Sequence, residues 1–481
     1  MTQKLSRRTA LSALGSGALV LAFDPCSRTW LTQAHADNSV PVPVLDGELV
    51  TDETSRNELS DDFGYIRTGV PVAVLRPGSY QDIAAMVQFA RAQGLCIAMR
   101  GNGHSNYGQA LAEGGIAIDS STLDAVHAVG PHCIDVDAGV FWRTVITAAT
   151  AIGSAPPTLT DYLNLTVGGT LSMGGIGGAT HQHGLQLDNV LELTVVTGTG
   201  AICTCSPTHN SPLFYAVLGG GGQCGIIVRA KLRLQTVASE ALQANLYYDD
   251  LATYVADMEL VMHEERFDYL EGQVIPQDDG SQLFMMEIAV YHAPDDAPDT
   301  STLFAGLSDL RSSIQVTATT YLEWAARVDA QEAFLRSIGF WDVPHPWLNL
   351  FIPSSKVEEF MATALAELTP ANTGGGVVLF YPIRRSRICA PLFRLPLGET
   401  SWSLSVLRFV PDPSTLQGML DANRSLYDLN KSLGGTRYTI GAIPFEQADW
   451  QAHYGVLWPA FAFAKAVFDP DKVLTPGPGI F

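Results

Sequence analysis

From about Val70 to Leu234, short apolar runs alternate with segments whose apolar residues recur at helical spacing. Pro71-Val72-Ala73-Val74-Leu75 reads as a strand, and Ile83, Met86, Val87 and Ala90 then mark one face of a helix that Gly94 stops. Leu95-Cys96-Ile97-Ala98-Met99 follows as another strand and runs into a glycine-rich loop. Further strands are predicted at Gly115–Asp119 and Ile134–Ala138, a helix from about Phe141 to Ile152, and a hairpin over Val190–Cys205 that turns at Gly198-Thr199-Gly200. This is an α+β pattern without a regular βαβ repeat. From Glu240 to Gly435 the period changes: Tyr269–Ile275, Leu283–Tyr291, Gly376–Ile383 and Ser403–Val410 alternate in the manner of strands, with helical stretches between them. An antiparallel sheet covered by helices on one side is the natural reading. The Pro/Gly-rich ending Pro476–Phe481 predicts a tail held against a partner surface. The expected organisation is an export signal over 1–36, a first domain over 37–236, an antiparallel-sheet domain over 237–435 and a returning C-terminal segment over 436–481.

Composition agrees with a folded chain of two or three domains: 481 residues, 47% hydrophobic and only 16% charged. The 28 basic and 49 acidic side chains give a net charge of −21, which repels a nucleic-acid backbone and an anionic membrane surface alike. Lys4, Arg7 and Arg8 precede an apolar run from Thr9 to Phe23, and Ala34-His35-Ala36 has the small-x-small form of a cleavage site. The adjacent arginines in Ser6–Leu11 suit the twin-arginine export route; an ordinary secretory signal is the plainer alternative. Loss of residues 1–36 would leave 24 basic against 48 acidic residues, a charge of −24, in the periplasm or outside the cell. The cysteine spacing makes no zinc cluster, and Cys203 and Cys205 are expected as buried thiols on one face of a strand.

The candidate chemistry sits in the 44 glycines. Arg100-Gly101-Asn102-Gly103-His104-Ser105 follows a predicted strand, and its glycines allow successive backbone N–H groups to approach a phosphate; it fits a plain tight turn as well. It is neither the dinucleotide fingerprint, since Asn106 stands where glycine is needed, nor a Walker loop. Thr166–Gly178 and Gly219–Gly222 are further glycine clusters, and three in one region suggest backbone wrapped around an extended ligand bearing a pyrophosphate. His181 and His183 suggest a metal only weakly, because Asp188 and Glu192 complete no known ligand spacing. Asp161 suits a proton or hydrogen-bond acceptor beside the second cluster, or a turn aspartate. Glu271 is an acid within an apolar strand, either functional or solvent-facing. His345-Pro346-Trp347-Leu348-Asn349-Leu350-Phe351 suits a flat ring pocket or core packing.

Together, Arg100–Ser105 with Gln109, Thr160–Ser172, Asp188–Leu193 and Phe214–Ala230 resemble the PCMH-type flavin domain of the vanillyl-alcohol-oxidase superfamily. Phe267–Gly272, His345–Phe351 and Pro476–Phe481 narrow the resemblance to the cytokinin dehydrogenase family. The resemblance implies an α+β fold in which FAD lies between two α+β subdomains, beside an antiparallel-sheet substrate domain. It implies flavin contacts at Met99, Gly101, Gly103, His104, Ser105, Gln109, Asp161, Thr166, Ser172, Ile176, Ile227 and Thr475, with a covalent bond from His104 to a methyl carbon of the flavin ring. No Cys stands in the second glycine stretch, so a single bond is expected. Asp161 takes the place of the catalytic aspartate, which receives a hydrogen bond from the substrate amine; Glu271 matches an acid at the pocket mouth and joins it as a catalytic candidate. The implied substrate is an N6-substituted adenine or another amine, with oxygen or a quinone as electron acceptor and no metal. Three positions depart from the pattern: Ile388 where a Trp is expected, Ala442 where a Tyr is expected, and Pro478 where a Gln is common. The first two are expected to reshape the substrate side of the pocket. Rival readings are a same-fold oxidase of an alcohol, sugar or alkaloid, a metal-dependent hydrolase using His181 and His183, and a binding protein without catalysis.

Overall fold

The structure is a computed structural model that describes residues 20–32, 39–277 and 279–481. The helix expected after the first strand spans Tyr80–Gln93; Ser79 caps its first turn, Gly94 leaves it at φ 61°, and Ile83, Met86, Val87 and Ala90 are buried. It packs beside a four-stranded sheet ordered Glu48–Val50, Ala73–Arg76, Ile116–Asp119, Ile97–Arg100. The last three strands are parallel, so this small sheet does contain a crossover, with Ile116–Asp119 inserted between the two strands that the helix connects. A second sheet of five antiparallel strands runs Ile202–Cys205, Val190–Val196, Ile226–Arg233, Cys133–Asp137, Val126–Gly130. It contains the expected hairpin, and Cys203 and Cys205 are free thiols on it, the latter buried.

The third sheet has eight antiparallel strands, from Gln315–Thr320 at one edge to Thr436–Arg437 at the other. Thr436–Arg437 pairs with Leu350 and Phe351, so the sheet extends one strand past residue 435. One face is covered by helices: Tyr254, on Leu251–Glu264, stacks on Phe284 and Phe380. The other face looks toward the five-stranded layer, and Leu348–Pro353 is therefore buried along its whole length. Polar side chains survive there in cross-strand register, Asn349 opposite Ser405 and Glu271 opposite Glu287. The tail returns to the first sheet, where Leu474 bridges Ile97. It is held against the chain's own surface.

Of the expected export signal, residues 1–19 and 33–36, with the paired arginines, lie outside the described residues. Residues 20–32 form a hairpin in which Phe23 pairs with Trp30. Phe23 is 1% exposed and its ring lies 4.7 Å from Trp30 and 6.0 Å from Phe89 of the first helix. The end of the segment read as an address label is thus packed into the first core. No described helix is long and apolar enough to cross a membrane.

Candidate active site

The strand Ile97–Arg100 delivers the chain into the loop Gly101–Ser105. Gly103 has φ 67°, and a Cβ there would sit 2.3 Å from the Arg100 guanidinium. The backbone N–H groups of Asn102, Gly103, His104 and Ser105 donate to no acceptor among the described residues. Four successive free donors form a cradle for an anion. Asp62 fixes the loop from below, accepting from the Gly108 N–H at 2.6 Å, the Ser105 hydroxyl at 3.1 Å and the Gly64 N–H at 3.1 Å. Burial pushes its carboxyl up to about 6 against those donors. Sequence reasoning missed Asp62, which lies well before the loop in a stretch without periodicity.

His104 packs against Phe63 and Tyr162 with its ring tilted by 30° and 33° to theirs, the centroids 4.1 Å and 4.8 Å away. Burial, with His345 nearby, pushes its pKa down to about 3, so the imidazole is uncharged at neutral pH. The loop opens on a cavity of about 320 Å³ between the glycine-rich layers and the eight-stranded sheet. Met99, Gly101, Gly103, His104, Ser105 and Gln109 line one side; Thr166, Ser172, Ile176 and Ile227 line another; Thr475 closes it from the tail. Gly221 and Gly222, at φ 59° and 72°, form part of the same wall, and a Cβ on Gly222 would meet the Thr475 hydroxyl at 2.7 Å.

Asp161 and Glu271 stand together on the sheet side of the cavity. Asp161 lies in a loop with its side chain 26% exposed, and caps no helix. Its Oδ1 accepts from the Tyr269 hydroxyl at 2.9 Å and from Arg327 at 2.7 Å. Glu271 is 2% exposed, which overturns the solvent-facing reading: it lies on a strand buried on both faces there and lines the cavity. Burial first, then the Asp161 charge, hold its carboxyl well above the usual range. A buried acid beside an aspartate that an arginine holds from behind is an arrangement suited to orienting an N–H or O–H. Arg327, like Asp62, gave no signal in the sequence.

Comparison with known proteins agrees with this arrangement. A model of an FAD binding domain matches residues 71–206, and one described as "Cytokinin dehydrogenase 1, FAD and cytokinin binding" matches residues 274–481. Cytokinin dehydrogenase 9 of Oryza sativa subsp. japonica is 35% identical over 96% of this chain and 96% of its own length. The chain belongs to the cytokinin dehydrogenase family. Cytokinin dehydrogenase 1 of Arabidopsis thaliana is 33% identical over 91% of this chain and 83% of its own. An uncharacterised oxidoreductase in the fasciation locus of Rhodococcoides fascians is 38% identical over 90% of this chain and 99% of its own. The crystal structure of 6-hydroxy-D-nicotine oxidase from Arthrobacter nicotinovorans has the same fold, with a TM-score of 0.69 at 20% identity, over 90% of this chain and 98% of that one.

As a cytokinin dehydrogenase family member the chain is an FAD-dependent oxidoreductase, and its site fits that cofactor. The free N–H groups of the His104 loop suit a pyrophosphate, and the glycine-lined walls admit backbone close to a flat ring. The expected departures fare differently. Ile388 does not reach the cavity: it follows the turn Arg385–Arg387, beyond the strand Val378–Arg384, and packs against the core. Ala442 is fully buried outside the cavity wall, its N–H donating to the Trp347 carbonyl. Neither shapes the pocket directly. Pro478 does line it, and its carbonyl accepts from the Trp450 indole at 3.0 Å. Of the aromatic stretch, Trp347 and Asn349 line the cavity, whereas His345 stacks on Phe63 at 4.0 Å and bonds the Phe63 carbonyl. His181 is held between the Gly178 and Phe267 carbonyls, and burial pushes it down to about 4. It packs the layers together.

Proposed function

We propose that this protein oxidises the C–N bond of an N6-alkylated adenine, a cytokinin, releasing adenine and an aldehyde. The observation that carries the proposal is the Asp161–Glu271 pair on the wall of a cavity that also contains the His104 loop. When bound, FAD supplies the two-electron acceptor that takes hydride from the carbon attached to the amine nitrogen. Asp161 accepts a hydrogen bond from that amine, which orients the carbon and stabilises the positive charge that develops as hydride leaves. Glu271, protonated, keeps a second negative charge away from the same spot. Trp347, Leu379, Leu407 and Ile440 give the apolar walls that a flat purine requires. The resulting C=N bond takes up water and breaks into the amine of adenine and the aldehyde. Oxygen or a quinone then receives the electrons. The similarity to plant cytokinin dehydrogenases over most of both chains supports this substrate class.

His104 is assigned the covalent tether: its imidazole is uncharged, and neither ring nitrogen has a hydrogen-bond partner among the described residues. Ser6–Leu11 supports twin-arginine export, and cell fractionation with Arg7 and Arg8 both replaced by lysine tests it: retention of the variant inside the cell is expected. For the chemistry, the purified holoenzyme is mixed without oxygen with an N6-alkyladenine. Wild type is expected to lose its flavin colour, and D161N to lose it at least about a hundredfold more slowly at equal flavin content. Wild type bleached only by an alcohol, sugar or alkaloid would overturn the substrate assignment. Acid precipitation should leave the flavin colour in the pellet; colour wholly in the supernatant would remove the tether.

A further inference from the structure

Arg327 occupies the link between the helices Tyr321–Ala325 and Val328–Ser337, on the far side of Asp161 from the main cavity. It lines a second, small cavity of about 50 Å³, which touches the main one only through Thr160 and Asp161. Its guanidinium lies 3.9 Å over the Trp324 ring and 4.7 Å from the Tyr269 ring, and its Nε is 3.5 Å from Glu287. From that clamp one terminal nitrogen donates to Asp161 Oδ1 at 2.7 Å and also to the Tyr269 hydroxyl. The Tyr269 O–H then donates to the same Asp161 oxygen.

We propose that Arg327 is a positioning residue for the amine oxidation: it fixes the Asp161 carboxylate from behind and sets a positive charge against the acids Asp161, Glu271 and Glu287. The inference rests on the function proposed above. Three carboxyl groups gather in this spot, and without a cation two of them cannot both carry charge at close range. The other titratable neighbours supply none. Burial holds Tyr269, Tyr291 and Tyr381 neutral by raising them, and it lowers His183, which disfavours a charge on that ring. Asp268, across the small cavity, is another acid. An arginine suits the place, since its planar guanidinium lies over the Trp324 ring while one terminal nitrogen donates to two oxygens.

The experiment measures the rate of flavin bleaching by an N6-alkyladenine, without oxygen, from pH 5 to 9, in wild type, R327M, R327K and D161N. Removing the cation lets the Asp161–Glu271 pair take up a second proton more readily, and that proton blocks the acceptor oxygen. R327M should therefore lose activity on the acid side at a pH about one unit or more above wild type. At a pH on that limb the rate falls about tenfold further than it does at pH 9. R327K, which keeps the charge, should recover most of that displacement. A purely structural arginine predicts a loss that is equal at every pH and no recovery of the limb by lysine; that result, or a wild-type profile in R327M, overturns the inference. The D161N arm separates the two claims. If D161N bleaches at the wild-type rate, or the wild-type flavin is not bleached at all, the amine-oxidation reading falls and takes this inference with it. If D161N is slow and R327M keeps the wild-type profile, only the role of Arg327 is lost.

Discussion

Glu271 is an ionisable group taken out of water and placed beside another acid, so its protonation state is a statement about stability as well as chemistry. Its folded carboxyl is held well above the ordinary value of 4.5. Below that value both folded and unfolded chains hold the proton. As pH rises above it, the unfolded chain releases the proton and the folded chain keeps it, so the wild-type enzyme loses stability, at up to about 1.4 kcal/mol per pH unit. Glutamine mimics the protonated acid without titrating. E271Q should therefore gain melting temperature relative to wild type between pH 5 and pH 8, measured by thermal denaturation of the holoenzyme. An unchanged difference across that range would place a charged glutamate in the folded protein. His104 shows the same physics from the other side: burial between Phe63 and Tyr162 removes its charge and leaves an imidazole with free nitrogens.

Elements carry the site through their close approaches. The turn containing Gly178 and the strand Tyr269–Pro276 are far apart in the sequence, yet a Cβ on Gly178 would lie 2.4 Å from the Tyr269 ring. The Gly178 carbonyl also accepts from the Leu270 N–H at 3.0 Å, which locks that strand in place. G178A should push Tyr269 aside and cost Asp161 one donor. The loss of a hydrogen bond to a charged group is worth about 1.5–3 kcal/mol, so flavin reduction should slow by roughly ten- to a hundredfold with flavin content unchanged. Stopped-flow bleaching measures the first and absorbance the second. Strand and helix identities in this region were legible from the sequence because period two and period 3.6 are local properties. The hairpin over residues 20–32 was not: its apolar residues match an export signal equally well, and only contact with Phe89 reveals a folded role.

At the scale of the molecule, the cavity belongs to no single sheet. The first sheet supplies the His104 loop, the second layer the glycine walls, the eight-stranded sheet Glu271, and the tail Thr475. The tail is integral: the Ile97 N–H donates to the Val473 carbonyl at 2.7 Å, the Thr475 N–H to the Ile97 carbonyl at 2.9 Å, and the Gln223 amide to the Thr475 carbonyl at 2.8 Å. A chain ending at Leu474 should acquire much less flavin than wild type during its production, read as the ratio of flavin to protein absorbance; full incorporation would show the tail to be dispensable. The sequence by itself determined the α+β class, the antiparallel strands of the second half, the glycine loop with His104, and Asp161 as a candidate acid, because local periodicity and compact motifs encode these. Tertiary structure alone decided that Glu271 faces inward, that Ile388 and Ala442 stay off the cavity wall, and that Asp62 and Arg327 support it. Those facts depend on contacts between residues far apart in the chain, and burial and charge balance, which set the chemistry, exist only once those contacts are made.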